Sequence, residues 1–198
     1  MLYPHFARKI IQMQKKDLAL RDKLLKEGVL SESYHVEMEA LHKQNAEKLE
    51  KIIDQIGYPT ASKVGEKASY ATWLVIQHAI SIPAFMKNCA ELLDLEVKSG
   101  NAYKKDWAYL TDRIAVLSNK KQLYGTQFDW DENAELSPNP IKYIKSINKR
   151  RIALGLNTLE EQIILIREFV QKEGQTPPQN YQVKKKEFVK WQKKVGWI

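Results

Sequence analysis

Two stretches of this 198-residue chain are apolar around almost the full circumference of a helix, yet each carries polar side chains that are costly to bury. The first is Ala68–Ile80, which contains Trp73-Leu-Val-Ile and then Gln77-His78; the second is Trp107–Leu117, which contains Thr111-Asp112-Arg113. Helices apolar on both sides run through a core. Polar groups enclosed there need partners, and those on the other helix are natural ones. The pattern therefore predicts a mainly helical domain built round an internal polar centre.

The rest of the chain supports that fold class. Apolar residues recur at helical spacing over 5–27 and over about 31–56, with Ser31 or Ser33 as the cap of the second stretch. Gly57-Tyr-Pro-Thr breaks the pattern, and helices follow over 66–80, 82–98 and 104–118. Strand formers at Lys121–Phe128, turn residues at Asp129–Asn133 and Pro138 beyond them predict one small β-hairpin over about 121–137. Helix returns over 141–154 and again over 158–173, the latter capped by Thr158. Residues 1–173 read as one helical domain, and 174–198 as a linker with an amphipathic C-terminal helix.

Net charge is +8, but six Lys and one Glu fall within residues 176–198, leaving the remainder at +3. The basic character belongs to the tail, which argues against nucleic acid as the partner. The tail's Phe188, Trp191, Val195 and Ile198 form one stripe suited to docking on the protein's own body, with lysines in water. No apolar run is long enough for a transmembrane helix, and the N-terminus lacks the apolar block of a secretory signal. Together with the single cysteine, Cys89, this predicts a cytoplasmic protein without disulfides.

His78 is the side chain best suited to move a proton near neutral pH, and a carboxylate beside it would fix its tautomer. Asp112 is the candidate for that carboxylate, and Arg113, with its planar fork, is a candidate anion holder. Gln122-Leu-Tyr124-Gly-Thr126-Gln127 adds a phenol, a hydroxyl and amides on a strand that Gly125 can bulge. His78, Asp112 and Tyr124 are thus the catalytic candidates, and Gln77, Arg113, Thr126 and Gln127 the ligand-binding ones. Each has a plainer explanation: a histidine bound to a carbonyl, an internal Asp–Arg network, a polar strand. Arg150-Arg151 reads as a solvated basic face, and Asp17 and Arg21, one turn apart, can pair on their helix.

The four histidines show no metal-ligand spacing, and there is no P-loop, dinucleotide fingerprint or nucleophile elbow, so no metal and no cofactor is expected. Two functions remain: a metal-free hydrolase or group-transfer enzyme acting on a small, anionic molecule, or a non-catalytic ligand-binding or interaction domain whose polar cluster is structural. The succession Gly57-Tyr-Pro-Thr, Trp73-Leu-Val-Ile-Gln-His78, Tyr109-Leu-Thr-Asp-Arg113, Gln122-Leu-Tyr-Gly-Thr-Gln127 and Arg150-Arg151-Ile-Ala-Leu-Gly-Leu156 resembles a bacterial family of unassigned function. That family carries Gly-Trp-Pro, Gln-His, Thr-Asp-Arg, Tyr-Gly-Thr-Gln and Arg-Arg…Leu-Gly-Leu in this order; Tyr58 here replaces the Trp. The resemblance covers roughly 15–160 and implies a shared polar centre of Gln77, His78, Asp112, Arg113, Tyr124 and Gln127.

Overall fold

Proline at the first helical position, where its missing N–H costs nothing, opens helix α1 (Pro4–Lys26) in the computed structural model, which describes residues 1–29 and 34–198. The stripe that α1 buries is Phe6, Ile10, Met13, Asp17 and Leu24. Leu18, one position off that stripe, is exposed. Helix α2 (Val36–Ile56) buries Met38, His42, Asn45, Ala46, Leu49, Ile52 and Ile53. The His35 ring caps it by accepting the Glu37 amide; Ser31 and Ser33 lie outside the described residues. Gly57, at φ +68°, ends α2, and a short helix that the sequence did not suggest, α3 (Ala61–Val64), follows.

Helix α4 (Glu66–His78) packs against α1, α2 and α3 and also touches α5 (Pro83–Lys98). Ala68, Ala71, Val75 and Ile76 let it lie close to its neighbours, while Tyr70 is exposed, so its enclosure is incomplete. These five helices form a compact unit, Met1–Tyr103.

The second unit is Lys104–Ile198. Helix α6 (Lys104–Leu117) buries Ala108, Leu110, Asp112 and Leu117. The hairpin is shorter than the sequence indicates: β1 (Phe128–Trp130) pairs antiparallel with β2 (Leu136–Pro138), with Asp129 opposite Ser137. The expected strand over 121–128 is mostly loop. The amides of Leu123, Tyr124 and Thr126 are taken by the Asp112 side chain instead of a neighbouring strand, and the ladder is one parallel bridge from Gln122 to Ile141. The helix expected over 141–154 is likewise shortened. Tyr143, at φ +55°, precedes a 3-10 turn (Ile144–Ser146), and α7 spans only Ile147–Ile152.

Helix α8 (Leu159–Lys172) starts with a capping box in which Thr158 and Glu161 satisfy each other's amides. Helix α9 (Tyr181–Val195) belongs to the second unit and is held by Gln192, whose side chain donates to the Leu117 carbonyl at 2.7 Å. Gln192 and Trp197 are buried, whereas Phe188 of the predicted stripe is exposed and stacks on Trp191. The chain is thus mainly helical, with one two-stranded hairpin and a C-terminal helix. Among the described residues no helix is long and apolar enough to cross a membrane.

Candidate functional site

The first unit gathers Asp17, His42, His78 and Tyr34. Asp17 lies on the buried stripe of α1, His42 on that of α2, and His78 on the last turn of α4. His78 Nδ1 stands 2.8 Å from Asp17 Oδ2 in a hydrogen bond, and His42 Nε2 stands 3.1 Å from the same oxygen. The two imidazole centroids are 5.0 Å apart. Tyr34 Oη lies 2.6 Å from His42 Nδ1 and donates to the His78 carbonyl at 3.3 Å.

The Asp17 side chain is 1% exposed and that of His78 is 24% exposed, so one edge of the cluster reaches solvent. Burial by itself would raise the Asp17 carboxyl. The two imidazoles on Oδ2 outweigh it and hold the group well below the usual carboxylate range. Oδ1 of Asp17 is buried without a hydrogen-bond partner, and Nε2 of His42 pairs with Oδ2 only when it carries a proton.

The carboxylate on His78 is therefore Asp17, which the sequence reading set on the helix surface opposite Arg21. No motif pointed to Asp17 or His42, although both interrupt apolar stripes. Gln77, adjacent to His78, is buried.

The second unit organises the other motif residues round the loop 122–127. Asp112 Oδ1 accepts the amides of Leu123 (2.7 Å) and Tyr124 (3.1 Å), and Oδ2 accepts the Thr126 amide (3.1 Å) and hydroxyl (3.0 Å). Burial pushes the Asp112 carboxyl up, and these donors pull against it. Arg151 is fully buried, correcting its reading as a solvated face. Its guanidinium donates to the carbonyls of Tyr124 (2.7 Å), Gly125 (3.0 Å) and Asn157 (2.7 Å). Arg150 Nε donates to the Leu123 carbonyl.

Arg113 Nε donates to Gln127 Oε1, while Gln127 Nε2 donates to Thr126 Oγ1. The Gln122 side chain closes the loop by donating to the carbonyls of Gln127 and Asn139 and accepting the Gln127 amide. The polar atoms of Asp112, Thr126 and Gln127 are thus engaged within the loop. The Tyr124 hydroxyl makes no hydrogen bond among the described residues; its ring meets Trp107 edge-on at 6.2 Å. Two grooves lie away from this loop. In the first unit one is lined by Lys9, Lys16, Lys48 and Lys51, and in the second one is lined by Trp130, Tyr181 and Phe188.

Among described residues, the group with metal-ligand geometry is Asp17, His42 and His78, whose ligand atoms all lie within 4.8 Å of one another. Neither the curated proteins nor the solved structures contain a match to this chain. A family model does match, over residues 4–172, so the chain belongs to the family of unknown function DUF6624.

Proposed function

We propose that the chain is a small-molecule enzyme of hydrolytic or group-transfer type whose reactive centre is the Asp17–His42–His78 cluster of the first unit. The observation that carries this reading is a buried carboxylate oxygen shared by two imidazoles, one of them reaching solvent. Enclosing a carboxylate costs several kcal/mol unless it is paired and fully hydrogen-bonded, and apolar residues would fill the same space with less penalty. Asp17 leaves Oδ1 unpartnered, so the cluster is poorly explained as a device for stability. An imidazole oriented by a buried carboxylate and reaching solvent is what general acid–base chemistry needs.

In this reading Asp112 is structural and holds the loop 122–127. Arg113, Thr126 and Gln127 support the same loop, and Gln77 is buried next to His78 in α4. Tyr124, with its spare hydroxyl, and Arg113, with its planar fork, are candidate contacts for a ligand held within the second unit itself.

The test is a panel of chromogenic phosphate, carboxylate ester, amide and glycoside substrates, assayed with wild type, His78→Asn and Asp17→Asn. Folded variants should lose at least about 100-fold in turnover, the scale of general acid–base assistance. A folded His78→Asn protein with wild-type turnover would overturn the proposal.

A further inference from the structure

We infer that Asp17, His42 and His78 bind a divalent transition-metal ion of the zinc class, with one coordination position left at the solvent edge. The inference rests on the cluster being the reactive centre, and adds to that reading the cofactor the cluster takes. It begins with the placement of hydrogens. Tyr34 has one hydroxyl proton and two acceptors within reach, the His42 Nδ1 at 2.6 Å and the His78 carbonyl at 3.3 Å. Both contacts are satisfied together when His42 Nδ1–H donates to Tyr34 Oη and the hydroxyl donates to the carbonyl. A neutral His42 then carries its lone pair on Nε2.

That lone pair faces Asp17 Oδ2 across 3.1 Å, and Nε2 is buried with no hydrogen-bond partner. A cation between Nε2 and Oδ2 resolves that pairing: a proton, which makes the 3.1 Å contact an ion pair, or a metal ion, which takes both atoms as ligands. The buried, unpartnered Asp17 Oδ1 beside them adds to the same demand for positive charge. In that tautomer the cluster holds two acceptor atoms without a donor, on side chains that are 1% and 7% exposed.

The spacing suits a metal. Ligand atoms about 2.0–2.1 Å from a tetrahedral ion lie roughly 3.3–3.4 Å apart. The observed 2.8 Å and 3.1 Å separations need to open by only a few tenths of an ångström. Two imidazoles and one carboxylate with an open position form a catalytic type of ligand set, whereas structural zinc sites are closed by four protein ligands. Tyr34 supplies the outer contact that orients a ligating histidine through its other nitrogen. An ion held this way acts as a Lewis acid on water or on a carbonyl or phosphoryl oxygen. The sequence lacked the usual ligand spacing because each ligand comes from a different helix.

The experiment uses the full-length, untagged chain, stripped with chelator and titrated with Zn2+ by calorimetry; Co2+ absorption reports ligation. We expect about one ion per chain, a large loss of affinity in His42→Ala, and about 10–100-fold weaker binding in Tyr34→Phe. In the NMR spectrum Zn2+ should shift the imidazole signals of His42 and His78 and leave His5 and His35 unmoved. Absence of stoichiometric binding, or equal affinity in wild type and Tyr34→Phe with no shift at His42 and His78, would overturn the inference. If His42→Ala fails to fold, Tyr34→Phe and the imidazole shifts decide the matter. The two proposals fail separately. Lost turnover in folded His78→Asn without ion binding removes the metal alone, whereas ion binding with turnover unaffected by that substitution removes the enzymatic reading.

Discussion

Asp112→Asn is nearly isosteric, so its effect isolates what the carboxylate does for the loop 122–127. In the wild type both oxygens accept: Oδ1 from Leu123 and Tyr124, Oδ2 from the Thr126 amide and hydroxyl. An asparagine must turn its NH2 toward one of these sets. With Nδ2 in the Oδ2 place the Thr126 hydroxyl can rotate to accept, but the Thr126 amide faces another donor. With Nδ2 in the Oδ1 place, Leu123 loses its partner. Either way one buried backbone donor is orphaned, costing about 1–3 kcal/mol. The surviving bonds also lose charge assistance, which roughly halves them. A total loss of about 2–5 kcal/mol follows, a large share of the roughly 5–15 kcal/mol of a typical domain. Urea unfolding followed by tryptophan fluorescence suits the measurement, since four of the five Trp lie in the second unit. A loss below about 0.5 kcal/mol, the scale of an unremarkable surface change, would refute this reasoning.

Further outcomes follow from the same geometry. Gly125 sits at φ +63°, and an added Cβ would stand 2.9 Å from Leu159 Cδ1 and 3.1 Å from Ile141 Cδ1. Gly125→Ala should therefore cost about 1–3 kcal/mol in chemical denaturation, with partial relief because both neighbours are side-chain ends. Cys89 is fully buried, and burial, with Glu50 adding to it, pushes its thiol up to about 12. A thiol reagent at pH 8 should leave the native protein unlabelled and react at once in denaturant; rapid native labelling would contradict this placement. Asp131 is held below its ordinary value first by the Ser137 hydroxyl and then by the Glu135 amide. Because its folded pKa is the lower one, its support for the hairpin is complete above pH about 4 and fades as acid protonates it. Amide exchange in residues 128–138 should be steady from pH 7 to 5 after correction for intrinsic rates, and should loosen only below about 4.

The helices were legible because their apolar residues recur every three or four positions and their ends carry recognisable signals: Pro4 and Pro83 at first turns, Gly57 and Gly100 at stops, Thr158 as a cap. The loop 122–127 was not, since strand propensity in Leu123-Tyr124 cannot reveal that Asp112 competes for the amides a strand would need. The motif residues stood out as polar groups in apolar surroundings, and Asp112 and Arg151 partner the backbone of their own unit. Asp17 was set on the helix surface, with a role at the polar centre only as the alternative, because a charged residue on a helix reads as solvated. Its spacing from Phe6, Ile10 and Met13, and that of His42 from Met38, Asn45 and Leu49, nonetheless placed both on the buried stripes. A polar residue inside an apolar period was the available signal, and it requires following the stripe strictly instead of substituting the apolar neighbour Leu18 or Leu41.

The most direct test measures turnover and unfolding free energy in parallel for His78→Asn and Asp112→Asn, on whichever substrate the wild type accepts. The account predicts a crossing pattern. His78→Asn keeps most of its stability and loses activity, while Asp112→Asn loses stability and keeps activity per folded molecule. The reverse pattern, an active His78→Asn beside a stable but inactive Asp112→Asn, would move the reactive centre to the second unit and contradict the account.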